Sequence, residues 1–305
     1  MTLRKKHLLS IKDCLSDEIE TIIKTAKDFK YKRKAVALKS VVLGNLFFEP
    51  STRTRISFEI AARKLSATVV NFTSTGSSIE KGESILDTAK NLISMGVNMI
   101  VLRHRAVGSA LFISERVNVP VINGGDGTNE HPTQALLDLF TAIEEFGTVK
   151  NLNVLIAGDI LHSRVAFSNI FAFKKMGSRV GVCGPPAFIP EALKFNEISL
   201  FYDLKEGLKW ADLAIFLRVQ KERGAIYSIP SLREYTLFYQ LNEHILEEVS
   251  KPGLKIMHPG PVNKNVELTE VVAESPVSLI LKQVENGIYI RMAVIYLLAL
   301  NWNYA

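Results

Sequence analysis

The chain has 305 residues and a formal net charge of +6, with 47% hydrophobic and 22% charged residues. This length exceeds what one small core needs and is typical of two domains of ordinary size. No apolar run reaches the roughly 18 residues that a membrane span requires. The basic start of the chain leads into a polar segment rather than an apolar signal core, so a cytoplasmic location without membrane contact is expected.

The distribution of charge and cysteine limits the expected ligands. Lysine and arginine are spread along the chain without a basic run interleaved with aromatic residues, which favours small anionic substrates over nucleic acid. Cys14 and Cys183 lie far apart in sequence, and the six histidines show no metal-binding spacing. We therefore expect no disulfide framework, no metal site and no organic cofactor.

The first half of the chain alternates short apolar strands with helices. We predict strands at 41–48, 69–72, 98–102 and 119–122, and helices at 55–65, 84–95 and 132–146. Gly96 is a candidate C-cap of the second helix. In the third helix, Pro132 fits the first turn and Gly147 fits the end.

A second series of strands and helices begins near residue 152. We predict strands at 153–157, 179–183, 213–217 and 254–257, helices at 164–176 and 204–210, and a buried apolar helix at 289–301. Alternating strands and helices predict an α/β fold of two domains, each a mostly parallel sheet flanked by helices, joined by long interdomain helices. The expected domains are 1–135, with the C-terminal helix 286–305 packing back on it, and 136–285. Ligands of such sheets bind beyond the carboxyl ends of the strands.

The turn after the first strand contains Ser51-Thr52-Arg53-Thr54-Arg55. Ser51 is a good N-cap, and the backbone N–H groups that follow point out of the helix start, where a phosphate gains hydrogen bonds and a favourable helix dipole. The hydroxyls add donors, and Arg53 or Arg55 can add a charged fork. A capped helix with two solvated arginines is the alternative. The position at the carboxyl end of an apolar strand favours phosphate binding.

Two further strand ends of the first half bear polar groups. Arg103 ends the strand 98–102, and the glycine-rich segment 124–134 leads into a helix at His131. The positive end of the helix dipole disfavours protonation of His131, so a neutral imidazole there can donate a hydrogen bond to a carbonyl oxygen. Gln134, one turn further on, can hydrogen-bond an amide group of a ligand.

Strand ends of the second half suit a carboxylate ligand. Arg164 follows the strand 153–157 at a helix start, where the dipole opposes a cation and an anionic partner would offset the misfit. Arg218 and Gln220 follow the strand 213–217 and lie on one side if the strand period persists. An arginine fork there can bind a carboxylate in bidentate geometry.

Several motifs resemble those of the aspartate and ornithine carbamoyltransferases. Residues 47–55 are similar to the family's carbamoyl-phosphate motif, and His131-Pro132-Thr133-Gln134 is similar to its carbonyl-binding turn. Residues 76–83 resemble a loop that reaches into the active site of a neighbouring subunit, although Glu80 stands where some relatives have a second basic residue. The segments 218–220 and 258–263 resemble the aspartate branch, whereas the ornithine branch has a His-Cys-Leu-Pro run.

The resemblance implies transfer of the carbamoyl group of carbamoyl phosphate to the amine of L-aspartate, an early step of de novo pyrimidine biosynthesis. It makes 1–135 the carbamoyl-phosphate-binding domain and 136–285 the aspartate-binding domain. Carbamoyl phosphate would be held by Ser51, Thr52, Arg53, Thr54, Arg103, His131 and Gln134, with Ser77 and Lys81 assisting, and aspartate by Lys81, Arg164, Arg218, Gln220, Pro259 and Gly260. The catalytic residues would be Arg53, Thr54, Arg103 and His131. The resemblance further implies a homotrimer with active sites shared between subunits, and is compatible with a higher assembly containing a regulatory chain or another pyrimidine-pathway enzyme.

Other functions fit part of this sequence. An ornithine or other amino-acid carbamoyltransferase shares the phosphate motif but not the segments 218–220 and 258–260. A non-catalytic phosphate-binding α/β protein has no need of His131 or Gln134. A nicotinamide-dependent dehydrogenase would require a glycine fingerprint, and only Gly158-Asp159 resembles one.

Overall fold

The architecture is α/β, as predicted. A computed structural model describes residues 3–32, 35–73, 82–195, 197–220 and 231–304. Its strands form a four-stranded and a five-stranded sheet in which every neighbouring pair is parallel. The chain divides into two compact units, residues 1–137 with 285–305 and residues 138–284.

The first unit is built on a sheet of order β2-β1-β3-β4. The strands Val42–Phe47 and Val121–Asp126 are buried along nearly their whole length, as expected for a parallel sheet covered on both faces. In register, Phe47 of the central strand pairs with Arg103 of its neighbour. The elements in chain order are α1 (Ser16–Tyr31), β1 (Val42–Phe47), α2 (Thr52–Lys64), β2 (Thr68–Thr73), α3 (Ile85–Ser94), β3 (Met99–His104), α4 (Ser109–Ser114), β4 (Val121–Asp126) and α5 (Pro132–Phe146), which continues into the second unit.

The start of α2 differs from the prediction. The helix begins at Thr52, three residues before the predicted start at 55, so Arg53 and Thr54 lie in its first turn. The polar first turn lacks the apolar spacing that marked the rest of the helix. Ser51 occupies the N-cap position, as predicted, and its side chain makes no capping hydrogen bond.

The second unit is built on a sheet of order β7-β6-β5-β8-β9. Its core contains fully buried side chains from adjacent strands, among them Leu155, Ala214 and Ile256. The elements in chain order are β5 (Asn153–Ala157), α6 (Arg164–Lys175), β6 (Arg179–Cys183), β7 (Ser199–Phe201), α7 (Leu204–Trp210), β8 (Leu213–Phe216), α8 (Leu232–Tyr239), α9 (Glu243–Val249), β9 (Lys255–Met257) and α10 (Glu270–Glu274), with 3-10 helices at Pro186–Phe188 and Glu191–Phe195.

The last helix, α11, spans Ile280–Asn301 and, like α5, has residues in both units. We predicted only 289–301. The nine preceding residues include exposed Leu281 and the poor helix former Gly287, which hid the helical pattern. The predicted burial of the apolar part is confirmed, since Ile290, Val294 and Leu298 are fully buried. None of the helices in the described part of the chain combines the length and apolar character that crossing a bilayer requires.

Candidate active site

The carboxyl edge of the first sheet gathers three of the predicted segments. β1, β3 and β4 are neighbouring parallel strands, so the turns that follow them lie at one edge. Arg103 connects these turns. Its carbonyl accepts a hydrogen bond from the Phe48 N–H at 2.9 Å, its Nε lies 3.5 Å from the Glu49 carboxylate, and its guanidinium donates to the Gly124 carbonyl at 3.3 Å.

The N-terminus of α2, at this edge of the sheet, has the properties of an anion-binding site. Thr54 is buried, whereas Thr52 and Arg53 are exposed. The first turn of α2 contains no acidic residue and includes the basic Arg53. The positive end of the helix dipole is therefore not offset by an acidic residue of that turn, and a phosphate can bind its N–H groups.

The glycine-rich turn before α5 is organised by the buried carboxylate of Asp126. This carboxylate accepts hydrogen bonds from the Gly108 N–H at 2.8 Å, from Asn123 Nδ2 at 2.8 Å, from Asn129 Nδ2 at 3.1 Å and from the Glu130 N–H at 3.2 Å. Gly127 follows with φ of +49°, and a Cβ there would lie 2.9 Å from a neighbouring carbonyl oxygen. Asp126 thereby fixes the path of the chain into His131.

A second buried carboxylate, Glu130, fixes the residue immediately before His131. It accepts hydrogen bonds from the Ile11 N–H at 2.7 Å, from the Lys12 N–H at 3.4 Å and from the Ser10 hydroxyl. His131 and Gln134 are themselves buried. Sequence reasoning named neither Asp126 nor Glu130 as a site residue, although an acidic residue inside a glycine turn was a usable signal for the first of them.

Asp126→Ala is expected to lower the free energy of unfolding by at least about 2 kcal/mol, because it leaves several buried donors without an acceptor. Urea unfolding followed by circular dichroism measures this. The matched control is Asp17→Ala, whose carboxylate pairs with Arg4 at 3.1 Å on the surface, and which should change stability by less than about 0.5 kcal/mol. Equal stability of the two variants would contradict the role given to Asp126.

The carboxyl edge of the second sheet gathers the other predicted segments. β5, β8 and β9 are neighbours, so the turns after them share this edge. The Leu217 N–H donates to the Ala157 carbonyl at 2.7 Å, and the Gln220 N–H donates to the Asp159 carboxylate at 3.1 Å. Gly158 has φ of +118°, and a Cβ there would lie 2.9 Å from the Leu217 carbonyl oxygen. The ends of β5 and β8 are thus closely joined.

Arg164 is the first residue of α6 and is only 3% exposed. The preceding Ser163 caps the helix by accepting a hydrogen bond from the Val165 N–H at 3.2 Å. A guanidinium buried at the positive end of a helix is electrostatically unfavourable, so a bound anion would stabilise it. The sequence predicted an arginine at this helix start, and the structure adds that its side chain is buried.

Arg218 and Gln220, in the segment after β8, have similar burial. Both are half-buried, while Leu217 and Val219 are fully buried. The alternation of a strand therefore continues past the end of β8, as expected for two side chains on one face.

The turn after β9 is held by His258 and Gln283. His258 Nδ1 accepts a hydrogen bond from the Gly260 N–H at 2.8 Å, and the His258 N–H donates to Gln283 Oε1 at 3.0 Å. Gln283 in turn donates to the Asp138 carboxylate at 2.7 Å. These bonds fix the backbone around Pro259 and Gly260.

The described site residues therefore fall into two sets, one at the carboxyl edge of each sheet. Ser77 and Lys81 lie outside the described residues, as does the segment 221–230. Within the ranges that the structure describes, no group of three or more His, Cys, Asp or Glu side chains is arranged to hold a metal ion.

Family models match both halves of the chain. Residues 6–144 match the aspartate/ornithine carbamoyltransferase carbamoyl-P binding domain, and residues 150–298 match the Asp/Orn binding domain of the same family. The chain belongs to the aspartate/ornithine carbamoyltransferase family.

Curated relatives point to one branch of this family. The chain is 49% identical over 301 residues to the aspartate carbamoyltransferase catalytic subunit of Cytophaga hutchinsonii, covering 97% of this chain and 98% of that one. It is 45% identical to the catalytic subunit of Halothermothrix orenii, with 98% and 97% covered.

Solved structures of the family share the fold. Aspartate transcarbamoylase from Trypanosoma cruzi in complex with N-(phosphonacetyl)-L-aspartic acid has a TM-score of 0.87 at 28% identity, with 96% of each chain covered. The catalytic subunit of M. jannaschii aspartate transcarbamoylase has a TM-score of 0.84 at 33% identity, with 97% and 99% covered. Ornithine carbamoyltransferase from Pyrococcus furiosus has a TM-score of 0.85 at 30% identity, with 97% and 98% covered.

Proposed function

We propose that this chain transfers the carbamoyl group of carbamoyl phosphate to the amine of L-aspartate, giving N-carbamoyl-L-aspartate and phosphate in de novo pyrimidine biosynthesis. The chain is an enzyme of the transferase class. The observation on which the choice of acceptor rests is the pair of arginines at the carboxyl edge of the second sheet, Arg164 and Arg218, because an acceptor with two carboxylates can use two forks. The 49% identity to an aspartate carbamoyltransferase catalytic subunit supports the same acceptor.

Complexes of the structural neighbours support these substrates. The Trypanosoma cruzi enzyme has been solved with carbamoyl phosphate and with carbamoyl aspartate and phosphate. In the present chain the first unit would bind carbamoyl phosphate, which is the role expected above for residues 1–135 with 286–305. The second unit would bind aspartate, which is the role expected for residues 136–285.

The first unit would bind and activate the carbamoyl donor. The phosphate would lie on the first turn of α2, held by Ser51, Thr52, Arg53 and Thr54 with help from Ser77 and Lys81. Thr54, Arg103 and His131 would donate hydrogen bonds to the carbonyl oxygen, and Gln134 would bind the amide. Donors fixed in place before reaction stabilise the oxyanion that forms on this oxygen.

The second unit would position the nucleophile. Arg164 and Arg218 would bind the two carboxylates of aspartate, with Gln220, Lys81 and the backbone of Pro259 and Gly260 completing the contacts. The amine lone pair forms a bond to the carbonyl carbon, the carbon–oxygen bond to phosphate breaks, and the leaving phosphate takes the amine proton. Positioning then supplies much of the rate, and the mechanism requires no separate base on the protein.

The assembly we propose is a homotrimer whose active sites are shared between subunits through Ser77 and Lys81. The family resemblance of the segment 76–83 supports this arrangement. A cytoplasmic location, and a higher assembly with a regulatory chain or another pyrimidine-pathway enzyme, are compatible with the same proposal.

Purified protein is expected to form carbamoyl-aspartate from carbamoyl phosphate and aspartate, with no comparable product from ornithine. A colorimetric ureido assay across a panel of amino acids measures this, and native mass spectrometry should give three times the 34.0-kDa chain mass. Faster turnover of ornithine than of aspartate would refute the acceptor. Absence of phosphate release with every acceptor would support a non-catalytic phosphate-binding protein.

A further inference from the structure

A buried carboxylate in the second unit joins two of the segments proposed to bind aspartate. Glu267 is fully buried and accepts hydrogen bonds from the Val219 N–H at 2.8 Å, from the Asn263 N–H at 2.8 Å and from Asn263 Nδ2 at 2.6 Å. Val219 lies between Arg218 and Gln220, so Glu267 holds the backbone of that segment. Asn263 lies in the loop after His258, so the Glu267 carboxylate holds both this loop and the segment 218–220.

These contacts fix the orientation of the Asn263 amide. Its Nδ2 also donates to the Val219 carbonyl at 3.4 Å, so its nitrogen side faces two acceptors. The oxygen side must then face away from Glu267. There Asn263 Oδ1 accepts a hydrogen bond from Arg218 Nε at 3.4 Å. A hydrogen bond at Nε fixes the plane of the guanidinium, and a carboxylate binds an arginine fork in that plane.

The cluster also includes His258. Its Nδ1 accepts the Gly260 N–H, so the proton of the neutral ring is on Nε2, which lies 3.9 Å from Glu267. Burial raises the pKa of Glu267, and the hydrogen bonds from Val219 and Asn263 oppose that shift. The charged carboxylate therefore depends on the same donors that it holds in place.

We infer that Asn263, itself fixed by Glu267, is a positioning residue that orients the Arg218 guanidinium toward a substrate carboxylate. This inference rests on the proposed function, because it assumes that Arg218 binds aspartate. The hydrogen bond from Arg218 Nε to the Asn263 amide oxygen favours an acceptor that is recognised through a carboxylate. The amide is neutral, so it orients the Arg218 guanidinium without neutralising its charge.

Asn263→Ala is expected to raise KM for aspartate about tenfold, the equivalent of about 1.4 kcal/mol, while kcat and KM for carbamoyl phosphate change less than about twofold. The backbone bond from Asn263 to Glu267 survives this change, so the loop should keep its path. The control is Lys264→Ala, which alters the next residue, an exposed side chain paired with Glu270 on the surface. This control should leave every kinetic constant unchanged.

A double-mutant cycle with Arg218→Ala tests whether Asn263 acts through that arginine. The tenfold effect of Asn263→Ala on kcat/KM for aspartate should disappear in the Arg218→Ala background. The inference would be overturned if the effect of Asn263→Ala were undiminished in the Arg218→Ala background, or if the single variant left KM for aspartate unchanged. It would also be overturned if the single variant raised KM for both substrates equally and lowered the unfolding midpoint. An unaltered protein that forms no carbamoyl-aspartate would overturn the proposed function and this inference together, whereas an active protein with an unaffected Asn263→Ala variant would overturn only the inference.

Discussion

Arg53→Ala is expected to lower kcat by about 10²- to 10³-fold, the loss typical of removing one donor that stabilises developing charge. Arg53 lies in the first turn of α2 and is exposed, so its truncation removes no core packing. The phosphate must accept negative charge as the carbon–oxygen bond breaks. A guanidinium beside the helix start stabilises that charge more than it stabilises the bound substrate. Steady-state kinetics at saturating carbamoyl phosphate and aspartate measure the effect.

A matched control for this variant exists in the same helix. Arg63 lies in the last turn of α2 and pairs with Glu59 at 3.0 Å on the surface. Arg63→Ala removes the same side chain from the opposite end of the dipole and should leave kcat unchanged. Both variants should retain the circular dichroism spectrum and unfolding midpoint of the unaltered protein. A near-normal kcat for Arg53→Ala would remove this helix start from the mechanism.

Many regular elements could be predicted from the spacing of apolar residues. The bounds of α5, β5, β6 and α7 coincide with the predicted ones, and for α5 the flanking Pro132 and Gly147 marked the two ends. The helix Ser16–Tyr31 was not predicted, although its Ile19, Ile22 and Ile23 are buried at helical spacing. Its N-cap position is occupied by Leu15 rather than by a polar residue, so the usual start signal was missing.

The site divides in the same way. Residues that follow apolar strands, such as Arg53, Arg103 and Arg164, could be selected from sequence because strand ends of a parallel sheet share one edge. Asp126 could have been selected in the same way, because it lies at the end of a strand of that sheet. Glu130 and Glu267 could not be selected in this way, since important donors to each come from distant segments, residues 10–12 for the first and Val219 for the second. A buried carboxylate whose donors lie far along the chain leaves no local sequence pattern that reveals those contacts.

Mixing two inactive variants is expected to restore activity if the proposed trimer shares its active sites. In Lys81→Ala chains the first-unit residues are intact, and in Arg53→Ala chains Lys81 is intact. A site is complete when the first kind of chain supplies Arg53 and its neighbour supplies Lys81, so random reassembly should restore about a quarter of the sites. Activity should therefore rise well above that of either variant alone when the two are dissociated together, mixed in equal amounts and refolded.

The control mixture combines Arg53→Ala with His131→Ala. Both residues lie at the carboxyl edge of one sheet within one unit, so the proposal places both in the contribution of a single chain. Every site in the mixed trimers then contains one of the two defects, and no recovery is expected. Native mass spectrometry with one variant isotopically labelled verifies that mixed trimers have formed. A site built from two neighbouring chains would be contradicted if the control mixture regained activity. It would also be contradicted if verified mixed trimers of Lys81→Ala and Arg53→Ala chains regained none, because only a shared site makes the two mixtures differ.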